Sequence, residues 1–196
     1  MKNIFSKNKK AFSLIELLVS LGIIIMITVI FMADYKTANK RTDMTMTAQK
    51  LVADIHLAQN NALGLVKYNG YVPAGGWGLS FDPTNNRYTL FADLDAPGNV
   101  GYMSYDPSLE GDINAGARVN NLSSNVIISS LKMSGNIATT TVTSANITFL
   151  PPDPKTNIYS NGATSTLLEI KIQDKNNVNS IKTIRVNFLG LAEVID

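Results

Sequence analysis

The sequence predicts an α+β fold in which a long N-terminal helix packs on an antiparallel β-sheet head. An uncharged apolar run occupies residues 17–33, and apolar residues then recur at three- and four-residue steps from Met44 onward. After residue 70 the chain changes to short strand-like segments separated by turns. Helical spacing followed by strands without a parallel crossover favours this class, and 196 residues suit one domain with an appendage.

The apolar run is long enough to cross a membrane. With residues 12–16 it makes about 22 residues, near the roughly 20 that a spanning helix needs. Its Leu, Ile, Val and Phe residues favour insertion by roughly 5 kcal/mol, whereas a central acid costs about 3 kcal/mol and less near a helix end, where Glu16 lies. The basic leader places the N-terminus in the cytoplasm and residues 34–196 on the other side; its lysines are Lys2, Lys7, Lys9 and Lys10.

Three general interpretations of this apolar segment are considered first. A cleaved secretory signal needs a shorter apolar run and small residues before the cut, but Phe31 and Lys36 stand two places before Ala33 and Ala38. A plain membrane anchor fits the length. A buried core helix needs a larger protein around seventeen uncharged residues.

Composition limits the chemistry of the chain. There is no cysteine, which excludes disulfides and thiolate metal sites, and the one histidine, His56, is expected on the helix surface. We find no catalytic constellation and no phosphate-binding loop, so we expect no enzyme and no organic cofactor. The net charge is +2, and subtracting the four leader lysines leaves −2 for residues 12–196, which gives no bulk attraction to nucleic acid.

A short motif stands at the start of the apolar run. Residues 10–18 are KAFSLIELL: the small Ala11, then Phe12, then Ser-Leu-Ile and Glu16. This arrangement resembles the class III signal of type IV prepilins and type II secretion pseudopilins. The resemblance implies that a prepilin peptidase cuts between Ala11 and Phe12, removes residues 1–11 and methylates the new amine. It also implies that Glu16, fifth from the new N-terminus, acts in filament assembly.

The rest of the chain is predicted to be a second helical segment and a β head. Residues 12–33 form the membrane-spanning or filament-core helix, and residues 34–67 an amphipathic helix with Gly64 as a plausible terminator. Its apolar stripe is Met44, Ala48, Leu51, Val52, Ile55, Ala58, Ala62 and Val66. The head, residues 68–196, contains a long loop at 93–125 and strands at 77–81, 87–92, 126–132, 145–150, 166–172, 182–188 and 191–195.

The head resembles the H-type minor pseudopilins, the GspH/FimT group. The resemblance is carried by LAQNNALGLVK, the GWGLSFDP…YTLFAD hairpin, ITFLPPDP and KTIRVNFLGLAEVI. It implies a minor pseudopilin or minor pilin that primes or caps a filament for type II secretion or pilus assembly. Its partners would be the prepilin peptidase, other pilins or pseudopilins and an inner-membrane assembly platform. It would be a single-pass inner-membrane protein with an external head, later incorporated into the filament.

The alternative function is DNA binding by a minor pilin during DNA uptake. The bases that would serve it are C-terminal: Lys132, Lys155, Lys171, Lys175, Lys182 and Arg185. Asp153, Glu169 and Asp174 interleave with these bases, so we weigh a structural role above nucleic-acid binding.

One segment begins like a calcium loop. Asp93 and Asp95 start the sequence DLDAPG, which makes them the weak calcium candidates. An EF-hand needs an oxygen ligand where Pro97 stands and a glutamate where Ser104 stands, so that motif fails. Asp106, Glu110 and Asp112 could assist, but we favour the interpretation that all five acids of this segment, Asp93 and Asp95 included, are solvated loop residues.

Overall fold

The computed structural model describes residues 13–110, 118–135, 138–151 and 155–195. Within these ranges the chain forms one α-helix and eleven β-strands, which confirms the predicted α+β class. The chain divides into two compact units, Met1–Arg41 and Thr42–Asp196. Both strand pairing and the apolar core belong to the second unit.

The helix α1 spans Leu14–Leu63, 50 residues. No proline interrupts it. Where hydroxyl residues enter its apolar part, each bonds to the preceding turn: Ser20 Oγ donates to the Glu16 carbonyl at 2.7 Å and Thr28 Oγ1 to the Ile24 carbonyl at 2.8 Å. Polar side chains are thereby satisfied inside the helix itself, as a lipid-facing segment requires.

The end of α1 differs from the prediction. The helix stops at Leu63, so the amphipathic segment does not reach residue 67. Leu65 adopts a left-handed conformation with φ of 50°, and the N–H groups of Leu65 and Val66 bond back to carbonyls of the last turn. This is a Schellman-type cap in which Leu65 takes the left-handed position, whereas glycine usually does so. Gly64 precedes that position, and Val66 falls outside the helical stripe.

The eleven strands form two antiparallel sheets, whereas the sequence predicted one. The first sheet has the order β3-β2-β1-β6-β7-β8 and the second the order β11-β10-β9-β4-β5. In chain order the strands are β1 (Gly76–Asp82), β2 (Arg87–Asp93), β3 (Arg118–Asn121), β4 (Val126–Ser134), β5 (Thr139–Val142), β6 (Ala145–Leu150), β7 (Lys155–Ser160), β8 (Ala163–Ser165), β9 (Leu167–Asp174), β10 (Asn177–Asn187) and β11 (Ala192–Ile195).

Seven strands lie where the sequence predicts them, and four were missed. The missed strands are β3, β5, β7 and β8. Three of these are short sheet edges, and β3 lies inside the predicted 93–125 loop. The sequence of β3, Arg-Val-Asn-Asn, has little strand propensity, so only its pairing with β2 reveals it.

The core is one cluster of apolar side chains from α1 and from both sheets. Six of the eight predicted stripe residues are at most 2% exposed. Val52 is partly buried against the cluster, while Val66 is 40% exposed, so its place in the stripe was wrong. The buried stripe residues are Met44, Ala48, Leu51, Ile55, Ala58 and Ala62. Burial of a stripe along one face is what holds this part of α1 on the sheets.

Two polar residues, Asn86 and Asp54, connect separate elements of the fold through side-chain hydrogen bonds. The Asn86 side chain, in the β1–β2 turn, donates to the Val126 carbonyl at 2.7 Å and accepts from the Ile128 N–H at 2.9 Å. This amide therefore joins the first sheet to β4 of the second. On α1, the buried Asp54 accepts from Tyr88 Oη at 2.7 Å and pairs with Arg118 Nη2.

Candidate functional sites

The first candidate site is the N-terminal segment, of which residues 13–32 are described. Ala11 and Phe12, the predicted cleavage and methylation positions, lie outside the described residues. Glu16 lies in the first turn of α1 and is exposed. Its described helical neighbours at three- and four-residue spacing are Ser13, Val19 and Ser20, none of which carries a charge.

The apolar stretch around and after Glu16 is exposed along its whole length. Leu14–Met32 is long and apolar enough to cross a membrane, and none of it is buried in the structure. Its large side chains are about half exposed or more, from Ile27 at 47% to Leu14 at 83%. A stretch of this composition needs a lipid or protein environment, because water is a poor solvent for so much contiguous apolar surface.

The second candidate site is a group of three buried carboxylates, called here the carboxylate cluster: Asp93, Asp95 and Glu110. Asp93 ends β2, Asp95 follows two residues later, and Glu110 lies in the β2–β3 loop, residues 94–117, of which 94–110 are described. One oxygen of each carboxylate lies within 4.8 Å of the others. Their exposures are 0%, 8% and 1%, so the expectation of solvated loop acids is wrong for these three.

Backbone N–H groups hold two of the three carboxylates. Asp93 Oδ1 accepts from the Asp95 N–H at 3.0 Å and Oδ2 from the Met103 N–H at 2.7 Å. Glu110 Oε1 accepts from the Leu94 N–H and Oε2 from the Asp106 N–H, both at 3.0 Å. These bonds connect the start of the β2–β3 loop to residues 103–110.

Asp95 is held differently. Its Oδ2 is buried and has no hydrogen-bond partner among the described residues. Two glycines make room for the cluster: a Cβ at Gly75 would overlap the Asp93 carboxylate, and one at Gly101 would overlap Asp95 Oδ2. The space around these oxygens is therefore shaped by the absence of side chains at two positions.

Burial sets the protonation chemistry of the cluster. Loss of solvent raises the pKa of Asp93 to about 6, and the charge of Asp95 adds to the shift, while the two N–H bonds oppose it. Burial also raises the pKa of Glu110 to about 8, with smaller contributions from Asp93 and Asp95. Like charges close together in a desolvated site disfavour full ionisation unless a cation compensates them.

The β2–β3 loop packs on the side of the first sheet that faces away from the main core. Phe91 is fully buried but lies outside the core cluster, and its ring centroid is 5.4 Å from that of Tyr105 in the loop. Asn146 Nδ2 on β6 donates to Ser104 Oγ in the loop at 3.4 Å. The loop held at the carboxylate cluster therefore covers the Phe91–Tyr105 contact, a small apolar contact separate from the main core.

Of the other candidate acids, Asp106 does not join the cluster. Asp106 turns its carboxylate to Ser108, whose N–H and hydroxyl both donate to Oδ1 at 2.8 and 2.6 Å. Asp112 lies outside the described residues. His56 is exposed and its Nδ1 lies 3.5 Å from Gln59 Oε1.

Sequence reasoning missed the Asp54 pairing. Asp54 is 7% exposed and is held by partners 34 and 64 residues away, on β2 and β3. Burial and the Asp54 bond raise the pKa of the Tyr88 hydroxyl, which keeps it a neutral donor. The sequence did carry a signal for a buried Asp54, because this acid stands beside Ile55 and three residues after Leu51, at the edge of the apolar stripe.

Comparison with known proteins identifies the N-terminal site. Residues 6–32 match the family model described as the prokaryotic N-terminal methylation motif. The motif indicates a type IV pilin-like or pseudopilin-like protein. Neither the curated proteins nor the solved structures give a match.

The matched range includes the predicted junction and Glu16. It confirms the predicted class III signal, and it implies processing by a prepilin peptidase and assembly with other pilins. Together with the bare apolar stretch it indicates a single-pass inner-membrane anchor. The match ends at residue 32, so membership of the H-type group stays a prediction from the head sequence.

Proposed function

We propose that this protein is a minor pseudopilin or minor pilin, a structural subunit that primes or caps a pilus-like filament. The observation that carries the proposal is the methylation motif placed directly on a bare apolar helix. A β head with its own core on the same chain supports a subunit that is anchored first and assembled later. On this proposal the chain is a structural protein and not an enzyme.

Processing is the first step of the proposed function. A prepilin peptidase cuts between Ala11 and Phe12, and the new N-terminal amine is methylated. The four leader lysines keep the N-terminus in the cytoplasm until the cut, so the head lies on the other side of the inner membrane. Removal of the leader exchanges four side-chain charges for one positive amine at Phe12.

Glu16 then acts in the assembly step. Its carboxylate has no charged helical neighbour at three- or four-residue spacing, so it needs a partner from elsewhere. In a parallel stack of subunits, the amine of a neighbouring Phe12 supplies that partner. An opposite charge at about 4 Å is worth about 4 kcal/mol at an effective dielectric constant of 20. Such a pair would set the axial register and favour the filament over the bilayer.

The test uses the full-length chain in a host with a prepilin peptidase and partner pilins. For Glu16→Gln and Glu16→Val we expect intact-mass analysis to show loss of residues 1–11 and gain of one methyl group, as in the wild type. Loss of the Glu16 pair should weaken association with partner pilins by at least about 1.4 kcal/mol, which corresponds to a factor of about ten. We therefore expect crosslinking to partner pilins to fall about tenfold or more. Ser20→Ala is the matched control, since Ser20 is one turn away and its hydroxyl donates to the Glu16 backbone carbonyl and not to its carboxylate.

Two outcomes would contradict the proposal. A wild-type chain that keeps residues 1–11 in that host would remove the processing step. Normal crosslinking by Glu16→Val would show that the carboxylate has no part in assembly.

One feature of the described head weighs against the DNA-uptake alternative. The registers of β4, β9, β10 and β11 place four charged residues of alternating sign in one row across the second sheet: Lys132, Glu169, Arg185 and Glu193. Arg185 Nη2 is bound to Glu169 Oε1 at 2.9 Å. A row of alternating sign gives little net attraction for a phosphate backbone. A DNA mobility shift that weakens steeply with added salt would reverse this conclusion.

A further inference from the structure

The carboxylate cluster has no assigned role in the proposed function and poses an electrostatic problem. Three carboxylates meet in a desolvated space, and no lysine, arginine or histidine of the described residues pairs with any of them. Ionised groups in such a space are costly unless another charge compensates them. The cluster therefore needs protons or a cation.

The hydrogen-bond pattern favours the ionised state for two of the three groups. Both oxygens of Asp93 and both oxygens of Glu110 accept backbone N–H groups. A carboxylate uses both oxygens as acceptors, whereas a protonated carboxyl must donate from one of them. Four N–H donors directed at four oxygens are thus arranged for negative charge.

Asp95 supplies the independent observation. Its Oδ2 is buried without a hydrogen-bond partner in the described part of the chain, and Gly101 leaves the space beside this oxygen free of a side chain. A buried carboxylate oxygen that lacks a protein donor is explained when a cation binds it. The Asp95 carboxylate also lies beside the carboxylates of Asp93 and Glu110.

We propose that Asp93, Asp95 and Glu110 bind a calcium ion. The ligands are all oxygens, which suit hard cations, and no sulfur or imidazole ligand is present in the cluster. Oxygens that share one calcium ion at about 2.3–2.6 Å lie at most about 5 Å apart, in agreement with the separation of these groups within 4.8 Å. Magnesium needs shorter bonds and near-ideal octahedral geometry, so it suits a cluster shaped by a loop less well.

Calcium at this position would act on the β2–β3 loop. Asp93 precedes the loop and Glu110 lies within it, and their N–H partners include Leu94, Met103 and Asp106. Binding one ion to Asp93 and Glu110 would fix residues 94–110 against β2 and keep Tyr105 on Phe91. Removing calcium leaves the mutual repulsion of the cluster and should loosen the loop.

The proposal is tested on the full-length protein in detergent micelles, with calcium chloride alone as the ligand. Thermal unfolding is followed by near-ultraviolet circular dichroism in a chelator and in about 5 mM calcium, enough for sites of extracellular strength. We expect calcium to raise Tm by about 5–10 °C, and equal magnesium to raise it less. Terbium, a hard cation of similar chemistry, should luminesce on excitation of the nearby Tyr102 and Tyr105.

A conservative variant separates binding from a merely structural role. Asp95→Asn removes one ligand charge and keeps the shape, so it should lose most of the calcium-dependent rise in Tm. In chelator its Tm should equal or exceed that of the wild type, because repulsion within the cluster decreases. Asp106→Asn, in the same loop but bonded to Ser108, is the matched control and should keep the full response.

Either of two results would overturn the proposal. One is an unchanged wild-type Tm and no terbium luminescence, which would mean that the carboxylates share protons. The other is a full calcium response in Asp95→Asn. Neither result depends on filament assembly, so failure of the calcium proposal is distinct from failure of the proposed function.

Discussion

At the residue scale, Asp54 is the charged group that fixes α1 on the edge of the first sheet. It is buried beside the apolar stripe of the helix, and its two oxygens bind Tyr88 on β2 and Arg118 on β3. Arg118 is about half exposed, so the ion pair itself is partly screened. The Tyr88 bond is buried and is the larger contribution to stability that we expect from this group.

Tyr88→Phe tests that contribution. The variant leaves Asp54 Oδ2 buried without its donor, so we expect the free energy of unfolding to fall by about 1–3 kcal/mol. Tyr71→Phe removes the same hydroxyl from a side chain that is 80% exposed and should change stability by less than about 0.5 kcal/mol. Denaturant unfolding of both variants is the measurement, and equal effects would contradict the role given to the Asp54 bond.

At the scale of elements, the second part of α1 shows how one stripe attaches a helix to two sheets. Ile55 is fully buried in the cluster that both sheets share, while the adjacent His56 is exposed. Neighbouring positions on one helix turn thus differ completely in environment. Most of the stability of this segment comes from the buried face.

Ile55→Ala tests the stripe. Removing a fully buried side chain from the shared core should lower the free energy of unfolding by about 2–5 kcal/mol. His56→Ala, the next residue along, should change it by less than about 0.5 kcal/mol, because its ring lies at the surface. The measurement is chemical denaturation, in which the variants should share the wild-type dependence of unfolding free energy on denaturant concentration. A small effect of Ile55→Ala would mean that α1 is loosely packed on the sheets.

At the scale of the whole molecule, the second unit contains everything that a stable domain needs. Every residue of the core cluster falls within Thr42–Asp196, and every strand pair lies there too. The bare stretch Leu14–Met32 contributes no buried residue to that core. We therefore expect the head to fold without the apolar anchor.

A fragment comprising residues 42–196 tests this independence. We expect it to be soluble without detergent and to unfold in one cooperative transition, because it retains the complete core. Circular dichroism and sedimentation measure both properties, with the full-length chain in detergent as the comparison. Aggregation of the fragment, or a gradual loss of signal without a transition, would show that the head needs its N-terminal segment.

The sequence predicted the elements whose signal is local. Seven strands were visible because apolar and β-branched residues cluster between turn residues such as Pro83 and Asn85. The stripe from Met44 to Ala62 was visible because helical spacing needs no knowledge of the partner surface. The methylation signal is a contiguous motif and was recognised for the same reason.

What the sequence alone determined is therefore the class of the fold, the apolar anchor and the N-terminal signal, all of which are patterns in neighbouring residues. Only the tertiary structure decided that the strands divide into two sheets, that Asn86 joins them and that Asp54 meets Arg118. It also decided that Asp93, Asp95 and Glu110 lie together and buried. These features depend on residues far apart in the chain, and their positions are set by packing, which no local pattern encodes.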